Sequence, residues 1–374
     1  MSNYQICTQC IMDTTIPEIS FDGKGVCSSC KKFDWWMKQM PFYLGNGEEQ
    51  LKIIVKKIKE EGKNKQYDCI VGLSGGIDSS FTLHLVVEHG LRPLVLHMDN
   101  GWNSKISISN IQKVVEKLNL NLLTKLLDWE EFKQLQIAFL KSSTPHCEHP
   151  TDHAIVATIL SEAAKNGIRF IISGSNINTE GIGVSAGVIG QRDWKYIKSI
   201  NSIYGNKPIR NYPHFSYFDL FNYKFVKRQK NIYILNYIDY NKEKAMSILR
   251  EKYGWQYYGG KHYESIYTRF FQGYILPVKF GIDKRRAHFS SLIRAGQLTR
   301  DEALAKIQEP PYDKEIFQED KKVFLSKLGL THREFEEIMS LPIKSFYDFP
   351  SYEKSIIYRT INKSYFMIKR ILKK

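Results

Sequence analysis

The feature that most constrains this chain is a short apolar run that breaks at two glycines and then resumes. The run Ile70–Leu73 is typical of a buried strand and Phe81–Val87 of a helix, with Gly75 and Gly76 forming the turn between them. Backbone N–H groups at a helix N-terminus lack intrahelical partners and lie at the positive end of the helix dipole. The sequence therefore predicts an anion site at this turn, of the kind that holds a phosphate.

The side chains of the turn suit that interpretation. Gly75 and Gly76 let the main chain approach a phosphate closely, and Ser74 and Ser79 add hydroxyl donors. Asp78 either caps the helix or holds a magnesium ion. No Lys-Ser or Lys-Thr pair follows the glycines and the dinucleotide spacing is absent, which excludes those two nucleotide motifs. An ordinary glycine turn in an α/β domain is the alternative.

Length and charge set broad limits on the function. The 374 residues suffice for two or three domains with a large core. A formal net charge of +15 predicts an anionic partner, for which nucleic acid, nucleotide and nucleotide-sugar all qualify. No apolar run reaches about 18 residues and no signal-peptide pattern opens the chain, so we expect no membrane insertion and a cytoplasmic location.

Four of the six cysteines form two C-x-x-C pairs within the first thirty residues, namely Cys7, Cys10, Cys27 and Cys30. Cysteines stay reduced in the cytoplasm, so such a cluster favours a metal over disulfides. The spacing predicts a structural Zn²⁺ ion held by four thiolates, with the loop between the pairs returning as a small hairpin. An iron–sulfur cluster is the alternative.

Strand and helix patterns alternate through the middle of the chain. After the phosphate loop come strands near 92–99, 120–126 and 169–173, with helices near 104–118 and from 128. This order predicts an α/β fold with a doubly wound, mainly parallel sheet. We expect a zinc-ribbon-like module at 1–45, the sheet domain at 46–198 and a mostly helical substrate- or partner-binding region at 199–374. The glycine-rich stretch 178–190 predicts a mobile loop over the site.

The six residues from Ser74 to Ser79 resemble the pyrophosphate loop, or PP-loop, of the ATP pyrophosphatase superfamily. The resemblance implies that ATP and Mg²⁺ are cofactors and that ATP is cleaved at its α-phosphorus. It implies that the loop residues Ser74, Gly75, Gly76, Asp78 and Ser79 hold the β- and γ-phosphates. It also implies nucleotide contacts at two strand ends, through His97, Asp99, Gly174 and Asn176. For His97 and Asp99 singly, capping a strand is an equal alternative.

Five motifs in one order resemble the N-acetyl sugar amidotransferases of bacterial lipopolysaccharide (LPS) O-antigen and flagellar-glycan biosynthesis. They are the cysteine pairs, the phosphate loop, Gly174–Asn176, Gly259–Ser265 and Lys279–His288. The resemblance implies that an acetamido group of a nucleotide-activated sugar becomes an acetamidino group at the expense of ATP and ammonia. Four cations of the last motif suit a bound polyphosphate and neutralise its charge, namely Lys279, Lys284, Arg285 and Arg286. His262 and Glu264 are candidates for sugar contact or proton transfer, with a structural hydrogen bond as the alternative.

The chain itself offers no cysteine suited to hydrolysing glutamine. The residue after Met1 is Ser2, and neither Cys69 nor Cys147 lies in the glycine-flanked elbow of a triad-type glutaminase. We therefore expect a separate glutaminase subunit as a partner. The family resemblance adds an ammonia-channelling, cyclase-like subunit.

The rival function is that of a tRNA-modifying PP-loop enzyme, either a thiolase or a lysidine-type ligase, which shares the loop, the zinc module and the basic charge. Thiolation usually needs two redox cysteines, and only Cys69 and Cys147 remain outside the zinc module. We expect Cys69 to be a packing residue, whereas Cys147 is open as a nucleophile or ligand. A nucleic-acid partner is therefore not favoured. A zinc-ribbon scaffold with a degenerate nucleotide fold is a third interpretation.

Overall fold

The computed structural model describes residues 4–183 and 190–355. Part of the predicted mobile loop, 184–189, and the end of the predicted helical region lie outside the described residues. Within the described ranges, five strands form one sheet in the order β3-β2-β1-β4-β5, and every neighbouring pair is parallel. The strands are β1 Cys69–Gly72, β2 Pro93–Asp99, β3 Leu122–Leu126, β4 Phe170–Ser173 and β5 Lys230–Tyr233. The predicted doubly wound parallel sheet is confirmed.

Both faces of the sheet are buried, as a parallel sheet requires. In β1, Val71 packs into one core with helices on that face, whereas the neighbouring Ile70 packs into a second core on the other face. The helices of the first half are α1 Ser28–Met37, α2 Gly47–Gly62, α3 Ile77–Glu88, α4 Lys105–Lys117, α5 Trp129–Ser142, α6 His149–Lys165 and α7 Ile177–Glu180. Strand order reverses at β1, so the crevice between the carboxyl ends of β1 and β4 is where ligands bind in such sheets.

Three local predictions need correction. Thr151 and the apolar run after it predict a helix start at Thr151, but α6 begins at His149, because Pro150 fits the first helical turn, where its missing N–H costs nothing. Residues 177–180 form a short helix where the glycine count predicted a loop. Strand β5 was not predicted, because it is a four-residue edge strand whose side chains are mostly exposed and show no apolar run.

The rest of the described chain is mostly helical, as predicted. A third core, made largely of aromatic side chains around Phe270 and Phe324, joins these helices to α5. They are α8 Trp194–Tyr204, α9 Tyr217–Phe221, α10 Lys242–Tyr253, α11 Ile266–Phe270, α12 Leu276–Phe280, α13 Arg285–Arg294, α14 Arg300–Lys306, α15 Lys314–Leu328 and α16 His332–Ser340. A capping box formed by Thr299 and Glu302 starts α14. None of the helices in the described ranges has both the length and the apolar character needed to span a bilayer.

The cysteine module packs against the rest of the protein. Its core includes Phe33 and is continuous with Ile177 of α7 and Ala287 of α13. The predicted hairpin is reduced to a single antiparallel bridge between Phe21 and Cys27. The module is therefore held by its cysteines and by its contacts with the other helices.

Candidate active site

The phosphate loop has the geometry of an anion site. Gly75 adopts a φ of +79°, and a Cβ there would stand 2.4 Å from the carbonyl oxygen of Ser107, so only glycine fits. The hydroxyls of Ser74 and Ser79 lie 3.1 Å apart and shape the turn. Helix α3 begins after Gly76 without a side-chain cap, and Ile77 donates its N–H to the Tyr258 hydroxyl over 3.3 Å. The structure thus brings the predicted loop residues together at an uncapped helix start.

Asp78 lies in the first turn of α3 but does not cap it, which corrects one of the two roles predicted for this residue. Its carboxylate accepts hydrogen bonds from the Tyr240 hydroxyl and, over 3.2 Å, from the Thr179 hydroxyl. The Lys261 ammonium lies 3.8 Å away. Burial raises the pKa of Asp78 against the opposing charge of Lys261. This carboxylate is the centre of the polar network beside the loop.

The end of β4 packs closely on the phosphate loop. A Cβ on Gly174 would stand 2.8 Å from the Asp78 carbonyl oxygen, so this glycine permits the approach. Asn176 caps α7 by accepting from the Thr179 N–H over 2.9 Å. It thereby positions the hydroxyl that contacts Asp78. Contact of Gly174 and Asn176 with a nucleotide stays a prediction.

The end of β2 is held by a local network. The ring nitrogens of His97 lie 2.9 Å from the Leu73 carbonyl oxygen and 3.0 Å from the Asn103 side-chain nitrogen. Asp99 accepts from the Gly101 N–H and from Asn103. His97 and Asp99 therefore shape the strand end, and their contact with adenosine stays a prediction.

The segment 259–264 crosses in front of the phosphate loop. The Glu264 carbonyl oxygen is fixed by the Ser104 N–H at 2.8 Å and by the Ser107 hydroxyl. Its carboxylate faces the loop, because one oxygen would lie 3.2 Å from a Cβ built on Gly76. His262 Nδ1 is 3.7 Å from that same oxygen, and His262 has a left-handed φ of +61°. Such strain in a non-glycine residue is typical of functional sites.

The second oxygen of Glu264 is buried and has no hydrogen-bond partner among the described residues. Although burial opposes ionisation, hydrogen bonding to His262 and the charge of that ring hold the pKa of Glu264 below its usual value. A carboxylate beside a phosphate site is stabilised by a cation between the two anions, and the Glu264 oxygen that faces the loop is the one that could contact such a cation. Glu264 therefore fits a Mg²⁺ ligand better than Asp78, whose carboxylate already has protein partners.

The four cations predicted to face a polyphosphate have different neighbours. Lys279 donates to three carbonyl oxygens at the end of α16, and Arg285 forms an ion pair with Asp283 at 2.8 Å. Arg286 pairs with the buried Asp13 of the cysteine module at 3.0 Å. Lys284 pairs with Glu148 at 3.2 Å. Direct roles of these cations in catalysis stay predictions.

Sequence reasoning missed Lys261, which links the phosphate loop to α7. Its ammonium lies 3.1 Å from the Thr179 hydroxyl and 3.2 Å from the Glu180 carboxylate, in addition to its contact with Asp78. Lys261 stands inside the Gly-Gly-Lys-His motif, which was itself a signal. Because the contacts of Lys261 join elements distant in the chain, the motif alone did not single it out.

A second missed pair is Glu148 and Asp152 at the start of α6. Gln191 donates to Asp152 over 2.6 Å and Gln272 donates to Glu148. Burial and the Glu148 charge raise the pKa of Asp152 to about 6. A carboxylate with such a pKa is suited to proton transfer near neutral pH.

Neither remaining cysteine is placed for nucleophilic chemistry. Cys147 is 2% exposed and directs its thiol toward the carbonyl oxygens of Phe139 and Thr144, and burial raises its pKa. Burial likewise raises the pKa of Cys69 in β1, where packing was expected. A reactive cysteine needs access and a lowered pKa, and these two have neither.

The four N-terminal cysteines form one buried cluster with all sulfur atoms within 4.8 Å of one another. The closest pairs are Cys10 with Cys27 at 3.7 Å and Cys7 with Cys30 at 3.9 Å. A tetrahedral zinc site with Zn–S bonds of about 2.3 Å has sulfur–sulfur edges of about 3.8 Å. The donors therefore fit a structural Zn²⁺ ion. Within residues 4–183 and 190–355 no other group of His, Cys, Asp and Glu side chains has this compactness.

The fold and the loop define a class, that of α/β proteins with a glycine turn and an uncapped helix start at the switch point of a parallel sheet. Comparison with known families adds a more specific match. Residues 264–365 match the C-terminal domain of WbpG-like LPS biosynthesis proteins. The family resemblance predicted from the motifs is confirmed for this region.

Other similarities are weaker. The uncharacterized protein MJ1599 of Methanocaldococcus jannaschii is 26% identical over 173 residues, which make up 46% of this chain and 59% of that protein. The chain thus spans about three fifths of the length of this curated relative. An NH3-dependent NAD synthetase from Campylobacter jejuni matches with 21% identity over 38% of this chain and 62% of its own, at a TM-score of 0.28. An NMN synthetase from Francisella tularensis matches with 14% identity over 56% and 93%, also at 0.28. These scores are too low to bear on fold or function.

Proposed function

We propose that this protein is an ATP-dependent amidotransferase that converts an acetamido group of a nucleotide-activated sugar into an acetamidino group. The single observation that carries the proposal is that the carboxylate of the half-buried Glu264 faces the phosphate loop. This residue opens the region that matches WbpG-like LPS biosynthesis proteins. The class of pathway is that of LPS or O-antigen assembly.

The chemistry requires activation of a poor electrophile. An amide oxygen attacks the α-phosphorus of ATP, pyrophosphate leaves, and an O-adenylyl imidate forms. Ammonia then adds at the imidate carbon, AMP leaves with the former amide oxygen, and loss of a proton gives the amidine. Both leaving groups are anions, so the enzyme must stabilise negative charge as it develops.

The residues of the site supply these functions. The N–H groups at the start of α3 and the hydroxyls of Ser74 and Ser79 hold the leaving pyrophosphate. The loop-facing oxygen of Glu264 would ligate Mg²⁺, which supplies charge neutralisation there. Asp152, whose pKa burial and the Glu148 charge raise to about 6, is the base that we assign to taking a proton from ammonium.

In this proposal a separate glutaminase subunit produces the ammonia, and a channelling subunit delivers it. Support comes from the two cysteines outside the zinc module, since both are buried and have raised pKa values. The same observation disfavours tRNA thiolation, which needs accessible redox cysteines.

The test is AMP and pyrophosphate release from ATP in the presence of ammonium. A UDP- or CMP-linked diacetamido sugar is compared with bulk tRNA as the acceptor. We expect sugar-dependent AMP and, by mass spectrometry, a product in which NH replaces one oxygen. AMP formation that only tRNA stimulates would contradict the proposal, as would efficient hydrolysis of glutamine by this chain alone.

A further inference from the structure

A cavity of about 270 Å³ lies beside the phosphate loop, walled by the segment 257–263 and by side chains of α13 and α14. Thr179 and Lys261 belong to its wall, and both contact Asp78 of the loop. Among the described residues that line it, Glu309 supplies the one carboxylate. The cations of the wall are Lys242, Lys261, Lys284, Arg285 and Lys306. The cavity therefore has an excess of positive charge.

Two of these cations, the partly buried Lys242 and the exposed Lys306, have no ion-pair partner among the described residues. Lys261, Lys284 and Arg285 each pair with a carboxylate, whereas the ion pairs within residues 4–183 and 190–355 include neither Lys242 nor Lys306. Lys242 instead lies 5.7 Å from the centroid of the Tyr257 ring. Burial lowers the pKa of Lys242, and Lys261 and Lys306 add to this against the opposing charge of Asp78. Neighbouring ammonium groups without a counter-ion are stabilised when an anion binds between them.

His288, on α13, also lies close to these cations. Its ring lines the cavity from α13, and burial, reinforced by Lys261 and other neighbouring cations, keeps the pKa of His288 well below its usual value. Among the described residues, the cavity wall has five cations and one carboxylate, and this excess of positive charge favours an anionic ligand.

We propose that this cavity holds the diphosphate of the nucleotide-activated sugar, with Lys242 and Lys306 as the cations that contact it. The inference rests on the proposed function and adds a location for its acceptor. ATP has a separate phosphate site at the start of α3, so a second group of unpaired cations indicates a second polyphosphate. Lys261 lies between the cavity and Asp78, so a sugar attached to that diphosphate adjoins the phosphate loop.

The volume of the cavity suits part of a nucleotide-sugar and not the whole molecule. Pockets for whole small-molecule ligands measure about 300–1,000 Å³, so 270 Å³ accommodates a diphosphate with its sugar but not a complete nucleotide-sugar. The aromatic face of Tyr257, which is 37% exposed, is available at the edge of the cavity for the base. We therefore expect the nucleoside to lie toward this edge.

The experiment measures binding of UDP by calorimetry to the full chain and to the double variant Lys242→Met, Lys306→Met. The matched control is Lys244→Met, on the same helix α10 but outside the cavity and exposed. We expect UDP affinity to fall at least about 10-fold in the double variant and to be unchanged in the control. We also expect UMP to bind more weakly than UDP. Equal UDP affinity in all three proteins overturns the inference. The inference also fails if the unaltered protein binds tRNA but not UDP and the double variant loses that tRNA binding.

Steady-state kinetics separate this inference from the proposed function. For the double variant we expect a higher KM for the nucleotide-sugar and an unchanged KM for ATP. If the KM for ATP rises instead, the cavity holds ATP phosphate and the inference fails while the function stands. If UDP binding depends on the two lysines but no nucleotide-sugar stimulates AMP release, the site stands and the function fails.

Discussion

The two faces of helix α13 carry basic side chains that do different work. On one face, Arg286 and Arg294 pair with Asp13 and Asp34 of the cysteine module, and Ser290 between them accepts from the Ile11 N–H. On the other face, Arg285 and His288 line the cavity beside the phosphate loop. The first face is an internal interface in which each arginine has a carboxylate partner. The second is part of a wall whose positive charge exceeds its negative charge. Arg285 on this face pairs with Asp283, so the unpaired cations of the wall are Lys242 on α10 and Lys306 on α14.

This difference shows how to separate structural from ligand-binding cations. Arg300 extends the first group, because its guanidinium donates to the carbonyl oxygens of Cys7 and Cys10. A charge with buried partners contributes to stability, and removing it leaves those partners unsatisfied. A charge without partners contributes little to folding and gains its partner from a ligand. Substitutions in the two groups of cations test this separation.

The largest effect is expected from breaking the metal site that the first face supports. Cys30→Ser removes one of four thiolates, and zinc coordination in such modules contributes about 10 kcal/mol or more to folding. We expect zinc measured by mass spectrometry to fall from close to one ion per chain to near zero, with loss of the module's fold. Cys69→Ser, which changes a buried cysteine of β1, is the control and keeps the metal. Iron in place of zinc in the unaltered protein would contradict the assignment.

The next effect concerns the phosphate loop. Gly75→Ala places a methyl group 2.4 Å from the Ser107 carbonyl oxygen at a left-handed φ, so the loop must move. We expect ATP-dependent pyrophosphate release to fall about 100-fold or more. Gly254→Ala is matched, because Gly254 has a φ of +66° and no atom within 4 Å of the added Cβ. This control loses about 1 kcal/mol of stability and keeps its activity. Equal losses of activity in the two variants would show that backbone strain at a left-handed φ, and not the close contact with Ser107, lowers the activity.

Arg286→Ala tests the paired face. Asp13 is fully buried, so loss of its arginine leaves an unpaired buried carboxylate and costs about 3–5 kcal/mol. Urea unfolding measures this loss, and we expect KM for both substrates to stay unchanged. The surface pair of Arg333 with Glu337 is the control, because both side chains are mostly exposed and Arg333→Ala changes stability little. A stable Arg286→Ala protein with a raised KM would place Arg286 among the ligand-binding cations.

The sequence predicted what is local and missed what is assembled from distant segments. The strand, glycine turn and helix of the phosphate loop follow one another directly, so hydrophobic pattern and glycine chemistry located the loop. The C-x-x-C pairs located the metal cluster for the same reason. The sequence of the segment from Lys279 to Arg286 shows how many cations it carries, but not which residues these cations contact. Arg286 meets Ile11 across 275 positions of the chain, and no local pattern encodes that contact.

Glu264 and Lys261 illustrate an intermediate case. Their motif was recognised and Glu264 was predicted, but its role depends on a carboxylate oxygen that faces the phosphate loop, which is a property of the folded site. Lys242 and Lys306 had no sequence signal, since isolated lysines on amphipathic helices are usually solvated.

His153 offers a pH test of a fully partnered group. Its ring stacks on Phe215 with centroids 4.1 Å apart, accepts from the Phe215 N–H at Nε2 and lies 3.2 Å from the Gln191 carbonyl oxygen at Nδ1. Protonation would put an N–H against the Phe215 N–H, and burial lowers the pKa of His153 to about 4.

Below about pH 6.5 the His153 ring is therefore protonated in the unfolded chain but not in the native state. Stability falls as pH drops from about 6.5 to about 4, by about 3 kcal/mol in total for this group. Urea unfolding at several pH values measures the loss. His153→Gln removes this dependence, while the opposite contribution of Asp152 is common to both proteins and cancels in the comparison. Identical pH profiles for the two proteins would show that His153 is not held neutral.

The smallest effect, and the sharpest test of the comparison, concerns Lys279. The sequence placed it among the catalytic cations, whereas its ammonium lies 2.5 Å from the Ile338 carbonyl oxygen and 3.1 Å from those of Met339 and Leu341. These carbonyls end α16, where a cation also interacts favourably with the helix dipole. If that is its whole role, Lys279→Met lowers the free energy of unfolding by about 1 kcal/mol and leaves kcat and both KM values unchanged. Lys279→Arg, which keeps the charge, restores part of the stability. A fall in kcat of tenfold or more without loss of stability would return Lys279 to the catalytic group, and partner contacts would then no longer separate the two kinds of cation.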